Sequence, residues 1–394
     1  MTSSLTVPRD VEGSSPPTGD GGRFPYRPDL DGIRAIAVVS VIIAHISNER
    51  FGSGYLGVEL FFVLSGYLIT ALLAIEFERC GRFELKKFYA RRALRLLPAL
   101  YACIAVWVLL GFVARPEQRS EHYLGVLAGA TYSSNWIRAL SEHTLGPTGY
   151  LWSLAVEEQF YLLWPVVLLG LFVVARRRIR RRDPVSGLSV DEGPDRLRLA
   201  VAVVVLVMVV LLVGWRMLLH ARGASFARLS NGLDTRSDGL LLGAAMALFL
   251  GSRISVPPAV IRIGRWVSAA LLMGLGVICL TPSSMPGWFL NASGISFSPF
   301  ACALVVFPVV ATAPSISPAL LRALRCPPLV RIGKLSYGLY LWHPVAIFVF
   351  ASRRLGLSGP ARIVPTIDLL IGLTLLSERL IERPANRLKH RFQV

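Results

Sequence analysis

Carboxylates are scarce in this chain: 24 Asp and Glu stand against 42 Lys and Arg, a formal net charge of +18 over 394 residues. Charged residues of both signs reach only 17%, while 54% of the chain is hydrophobic. A soluble domain is usually about a quarter charged, so the two or three soluble domains that the length would accommodate are excluded. Disorder and collagen-like repeats are excluded as well. Cysteine is also sparse, with five residues, no CxxC and no metal-ligand spacing, which excludes a disulfide-stapled scaffold and a zinc module. Cys103, Cys279 and Cys302 sit inside apolar runs and read as small buried hydrophobes. The first thirty residues hold no apolar leader core and are rich in breakers (Pro16, Pro17, Gly19, Gly21, Gly22). They read as a disordered tail, residues 1–30.

Familiar catalytic signatures are missing too. The chain has no GxSxG elbow, no GxxxxGK[ST] loop and no HExxH. One GxGxxG occurs, Gly52 to Gly57, but it follows an apolar helix rather than a strand, so a tight turn accounts for it better than a dinucleotide site. No internal period of 20 to 50 residues stands out.

What the chain does have is apolar length. Runs compatible with membrane helices cover 33–47, 55–75, 96–114, 156–175, 199–219, 239–250, 266–281, 297–313, 335–351 and 363–377. A weaker run, 122–137, is interrupted by Gly, Ser, Thr and Asn. With ten spans and the amino terminus inside, 31 of the 42 basic residues fall in cytoplasmic segments, as the positive-inside rule requires. Making 122–137 a full span would send the arginine cluster at 176–182 outside, so it is expected to be re-entrant or to lie on the outer surface. The stretch 176–198 reads as a charged connecting loop. The expected fold is all-α: a polytopic membrane bundle of about ten helices with both termini cytoplasmic. The basic charge is then a record of topology, and no nucleic-acid partner is expected.

Ionisable residues inside spans are costly and each is a functional candidate. Arg34 and His45 are eleven residues apart on the first helix, which puts them on one face and about 16 Å apart along the axis. His45 fits an interhelical hydrogen bonder or a catalyst. Arg92 and Arg95 form an i,i+3 fork expected at the cytoplasmic mouth of the third helix, suited to phosphate or to anionic lipid. Ser153 is placed to cap the helix that carries Glu157 and Glu158, which are expected near the outer interface. Trp152 precedes this run. Asp234, Arg236 and Asp238 stand at the outer end of the sixth span, and Tyr340, Trp342 and His343 lie on the ninth. Glu382 and Arg383 read as an ion-pair cluster.

These segments together resemble the acyltransferase-3 family of integral membrane O-acyltransferases. The resemblance is carried by Tyr26-Arg-Pro-Asp-Leu-Asp-Gly-Ile-Arg34-Ala35 with His45, then by Gly54 to Thr70, and by Phe88 to Pro98. Trp152 to Pro165, Arg236-Ser-Asp238, Ser336 to Pro344 and Ile381 to Pro384 follow in order. Glu59 stands where the family often has Asp. The resemblance implies a membrane acyltransferase domain at 31–384 and a cytoplasmic tail at 385–394. It implies transfer of an acetyl or other short acyl group from acyl-CoA, a cosubstrate rather than a bound cofactor, to a sugar hydroxyl. His45 would be the general base, with Glu158 orienting it, and Arg34, Arg92 and Arg95 would hold the acyl-CoA. Trp152, Ser153, Asp238, Tyr340 and His343 would contact the acceptor, and no metal is implied.

The acceptors of such proteins include surface polysaccharides, glycolipids and antibiotic sugars. The Ala-, Arg-, Val- and Leu-rich wording suggests a high-GC bacterium and its plasma membrane, and leans toward an antibiotic or glycolipid acceptor. Two other classes fit the same residues: a proton-coupled transporter or flippase using Arg34, His45 and Glu158 as a relay, and a non-catalytic receptor. The missing inverted repeat weighs against the first.

Overall fold

The computed structural model describes residues 26–47, 54–113, 116–182, 192–252, 292–311, 318–351 and 359–388, with scattered positions between 257 and 274. Residues 1–25, most of the run 266–281 with Cys279, and 389–394 lie outside the described residues. Every regular element among the described residues is helical.

In chain order the first helices are α1 (Pro28–Ile46), α2 (Gly54–Cys80) and α3 (Leu85–Gly111). Two short helices follow, α4 (Arg119–Ala130) and α5 (Ser134–Leu140), then a tight turn at Gly146–Leu151 and α6 (Trp152–Arg182). Next come α7 (Glu192–Ala221), α8 (Phe226–Asn231), α9 (Leu233–Arg236) and α10 (Asp238–Gly251). The chain continues through α11 (Ala292–Ala311), α12 (Pro318–Leu324), α13 (Pro327–Lys334), α14 (Ser336–Ala351) and α15 (Ile363–Ser377). A π-helical turn, Glu378–Glu382, leads into α16 (Arg383–Arg387).

Four stretches, Gly54–Cys80, Leu85–Gly111, Gly146–Ile179 and Asp195–Ala221, are long and apolar enough to cross a bilayer. At 1.5 Å per residue, a 27-residue helix is about 40 Å long and exceeds the ~30 Å hydrocarbon core. Shorter apolar helices pack among them. The protein is a polytopic helical membrane protein. Helix α2 is central, burying 67% of its apolar stretch where α7 buries 33%. The remaining face of α7, with Val203, Leu206, Val210 and Leu211 exposed, is suited to lipid.

Several expectations change at this level. The arginine-rich stretch is mainly helix, since residues 176–182 extend α6 and residues 192–198 open α7. Arg198 there pairs with Glu78 of α2. Residues 122–137 divide between α4 and α5, each too short to span alone. Arg383 pairs with Glu378.

Close backbone approach fixes the centre. A Cβ at Gly66 of α2 would lie 1.9 Å from the Leu240 carbonyl oxygen of α10, and one at Gly243 of α10 would lie 2.0 Å from that of Val63. Neither neighbour is a side chain that can rotate away, so small residues are required on both sides. Gly243→Val is therefore expected to force the helices apart and lower the melting temperature in detergent markedly, beyond the ~1–3 kcal/mol of ordinary overpacking. Gly170→Val, where a Cβ meets nothing within 4 Å, is expected to change it little. Equal melting of the two variants would contradict this packing.

Candidate active site

The bundle encloses a cavity of about 90 Å³ between α1, α2, α3, α6 and α14. Its polar lining is formed by Arg34, Arg92, Arg95, Glu157, Glu158 and Tyr161, together with Ser65, Ser153, Ser336 and Tyr340. Among the described residues, neither Arg34 nor Arg95 makes a hydrogen bond or an ion pair. Arg95 is exposed even though it lies ten residues, about 15 Å, into α3, because the surface it exposes borders this cavity. Arg92 lies over the Tyr161 ring at 4.4 Å. Glu157 accepts hydrogen bonds from Ser65 and Tyr161, whereas Oε1 of Glu158 is buried without a partner.

The sequence reading put the carboxylates and the arginine fork on opposite sides of the membrane, and the structure brings them together. Two local features do this. The Gly146–Leu151 turn is buried from Thr148 to Leu151, so α6 begins inside the bundle. On the other side, α3 has already run nearly three turns before Arg95.

Ser153 does not cap α6. Its hydroxyl meets the Tyr340 hydroxyl at 2.6 Å. Tyr340 donates to the Tyr150 carbonyl at 2.7 Å, so its single proton is committed and Ser153 is the donor. Tyr150 donates to the Leu341 carbonyl at 2.9 Å, and Tyr337 to that of Leu96 at 2.7 Å beside Pro98. Helix α14 is thereby fastened to both the turn and α3.

Beyond Tyr340 lies a second centre. The rings of His45 and His343 stand 5.0 Å apart, tilted by 55°, and Tyr340 and Tyr150 lie 5.5 and 5.6 Å from His343. His45 is half-buried and His343 fully buried. Neither ring borders the cavity. His45 and Glu158 are not hydrogen-bonded to one another: Nδ1 of His45 bonds the Val41 carbonyl one turn back at 2.9 Å, and Oε1 of Glu158 has no partner.

Trp152 and Asp238 are also away from the cavity. Trp152 meets Phe62 edge-on at 6.3 Å and lies 5.7 Å from the Arg236 guanidinium. Asp238 is fully buried and accepts from Arg216 at 2.7 Å, with its other oxygen on the Gly239 amide. A parallel buried pair joins Arg236 to Glu59. Sequence reasoning assigned no role to Ser65, Tyr161 and Ser336, although each lies within one of the blocks that carry the family resemblance. It did not single out Arg216, the buried partner of Asp238. Among the described residues no cluster of three His, Cys, Asp or Glu is placed to hold a metal ion.

A polytopic helix bundle with three arginines and two glutamates on one internal cavity, and a histidine pair beyond it, defines an integral membrane protein with a charged site inside its helices. Residues 27–377 match the acyltransferase domain of the acyltransferase-3 family, and the chain belongs to that family. It is 33% identical over 340 residues to the O-acetyltransferase OatA of Staphylococcus aureus strain NCTC 8325, covering 82% of this chain and 51% of the relative. A putative O-acetyltransferase of Staphylococcus aureus strain MSSA476 is 30% identical over 374 residues, 91% of this chain and 57% of that protein. The chain thus spans about half the length of these relatives. No solved structure matches it.

Proposed function

We propose that the protein is an O-acyltransferase of the bacterial plasma membrane. It would transfer an acetyl or other short acyl group from acyl-CoA to a hydroxyl of a sugar-containing acceptor. The observation that carries this reading is the convergence of Arg34, Arg92 and Arg95 on one cavity, three cations against the two carboxylates of Glu157 and Glu158. Excess positive charge in an apolar bundle is expensive and favours an anionic ligand. A cavity of about 90 Å³ suits the thioester end of a long donor rather than the whole of it. The nucleotide phosphates would then lie on the cytoplasmic side, where the basic residues of α3 begin.

In this reading Arg95 and Arg34 bind phosphate or polarise the thioester carbonyl, and such donors in a dry site stabilise the developing oxyanion. His45 takes the proton of the acceptor hydroxyl, a step to which a positioned base contributes typically 10²–10⁴-fold. The hydroxyl oxygen bonds the carbonyl carbon, the C–S bond breaks, and the proton returns to the thiolate. Glu158, with one unpartnered oxygen on the cavity wall, is available to orient the acceptor. Ser153 and Tyr340 stand between the cavity and the histidines, where an acceptor hydroxyl would arrive. Trp152, Asp238 and His343 would act on the acceptor from behind this wall rather than through it. Composition favours an antibiotic or glycolipid acceptor.

The test is label transfer. The full chain in lipid nanodiscs is expected to move radiolabel from acetyl-CoA to an acceptor, with His45→Ala reduced at least 100-fold. Turnover no higher than that of His45→Ala would sink the enzyme reading. Mass spectrometry of cells with and without the gene would then identify the acceptor by its added acyl mass.

A further inference from the structure

The contacts across the cavity form a ladder. At its first rung Arg92 of α3 lies over the Tyr161 ring of α6 at 4.4 Å. At the second, Ser65 of α2 donates to Glu157 of α6. At the third, Tyr337 of α14 donates to the Leu96 carbonyl of α3 at 2.7 Å. At the fourth, the hydroxyls of Ser153 and Tyr340 meet at 2.6 Å. His343 and His45 stand beyond it. Residue numbers fall along α6 and rise along α14, so the rungs follow one axis, and Tyr161 to Ser153 covers about 12 Å. Helices α2 and α6 run side by side in the same direction, since the Trp164 indole also donates to Thr70 at 2.8 Å.

Charge and apolar surface are segregated along this axis. The charged lining residues of α3 and α6 belong to the first three rungs. Arg34 starts about 16 Å below His45, and its side chain leans further down, toward the start of α1. Val58 and Phe62 precede Ser65 by about two turns and one turn of α2, and Leu154 precedes Glu157 by about one turn of α6. These three therefore ring the fourth rung, under the histidines. Phe62 closes that end. It is buried, and its ring stands edge-on to Trp152 at 6.3 Å with the Arg236 guanidinium at 5.9 Å. A Cβ on Gly239 of α10 would lie 3.1 Å from the Phe62 Cβ. Held on three sides, the ring does not swing out to lengthen the cavity.

We propose that the histidine end of the cavity is an acyl-chain pocket whose length is set by Val58, Phe62 and Leu154, admitting acetyl and propionyl thioesters and excluding longer ones. This rests on the reading of the protein as an acyl-CoA-dependent transferase. A donor whose phosphates meet the arginines enters at the first rung, with its acyl group leading. The thioester carbonyl then lies beside Ser153 and Tyr340, and the alkyl chain turns onto the apolar ring. There an alkyl chain gains by leaving water, whereas on the lower rungs it would desolvate charges. Specificity for short acyl groups is thus set by a packed phenylalanine rather than by a polar contact.

The experiment measures displacement of radiolabelled acetyl-CoA from the full chain in nanodiscs by acetyl-, propionyl-, butyryl- and hexanoyl-CoA. Each affinity is read as a ratio to acetyl-CoA on the same variant, so a loss of folded protein cancels. One methylene too many in an apolar pocket costs about 10-fold or more, so the wild type is expected to weaken about 10-fold between propionyl- and butyryl-CoA. Leu154→Ala and Phe62→Leu open the end and are expected to abolish that step. Val58→Ile adds one methylene and is expected to move the step down, between acetyl- and propionyl-CoA. Leu68→Ala, about one turn to the arginine side of Ser65, is expected to leave every ratio within about twofold.

Equal affinity of the wild type for all four donors would overturn the proposal. So would ratios that shift in Leu68→Ala but in none of the other three variants, which would put the chain at the arginine end. Either result leaves the donor reading standing. Failure of every acyl-CoA to bind would remove the donor reading and this proposal with it.

Discussion

Arg95→Ala is expected to raise the KM for acyl-CoA about 10- to 100-fold and to leave the KM for acceptor within about threefold. A hydrogen bond to a charged group is worth about 1.5–3 kcal/mol, which is that range of affinity. Arg95 has all of its donors available, because no carboxylate or carbonyl among the described residues takes them. Arg92 differs: it lies over the Tyr161 ring at 4.4 Å, and that ring is anchored through its hydroxyl to Glu157. Part of Arg92 is thus committed to structure, and Arg92→Ala is expected to raise the same KM less. Arg95→Lys keeps the charge but loses the planar fork and is expected to fall between wild type and alanine. Arg331→Ala, which removes an exposed pair with Glu378, is a charge control expected to change neither KM. An Arg95→Ala variant that weakened donor and acceptor equally would show that the arginine shapes the bundle rather than the donor.

The elements that the sequence made legible are those whose information is local. Helix α1 carries Arg34 and His45 on one face because eleven residues close three turns, and the structure retains both helix and spacing. Apolar runs marked the helices, and charge counting set 122–137 apart from the spans, though not that it divides into two short helices. Depth was harder to read. Charge counting put Arg92 and Arg95 at the cytoplasmic mouth of their helix, but did not show that both would border a cavity shared with α6. Nothing in the hydropathy of 146–151 signals that this turn is buried, since a short Gly-Pro-Thr-Gly segment reads as an exposed loop.

Pairings across long sequence separations were not legible at all. His45 and His343, or Ser153 and Tyr340, belong to helices that only the tertiary fold brings together. Glu158 was preferred over Glu157 as the partner of His45 on motif grounds. Side-chain geometry instead gives Glu157 two hydroxyl donors and leaves Glu158 open on the cavity wall. The choice between adjacent carboxylates depends on a 100° turn of the helix, which a lone motif does not orient.

The second large effect concerns stability. Arg236→Ala is expected to destabilise the protein by about 3–5 kcal/mol, because it strands the Glu59 carboxylate with no exposure to water. The guanidinium is held by Glu59 and by ring faces, with Tyr55 at 4.7 Å, Trp152 at 5.7 Å and Phe62 at 5.9 Å. Its Nε and Nη1 have no hydrogen-bond partner, so aromatic contact replaces part of the missing solvation. The neighbouring Arg216 is better satisfied, donating to Asp238 at 2.7 Å, to the Thr235 carbonyl at 2.6 Å and to Ser296 at 3.1 Å. If the penalty comes from the stranded charge, removing both partners must cost less than removing one. Glu59→Leu with Arg236→Met is therefore expected to melt above Arg236→Ala in the same detergent. It is also expected to keep its donor KM, since neither residue lines the cavity. A double variant that melted below Arg236→Ala would show that the pair contributes net stability beyond its own desolvation. A donor KM that rose with it would extend the binding site from the cavity to this buried pair.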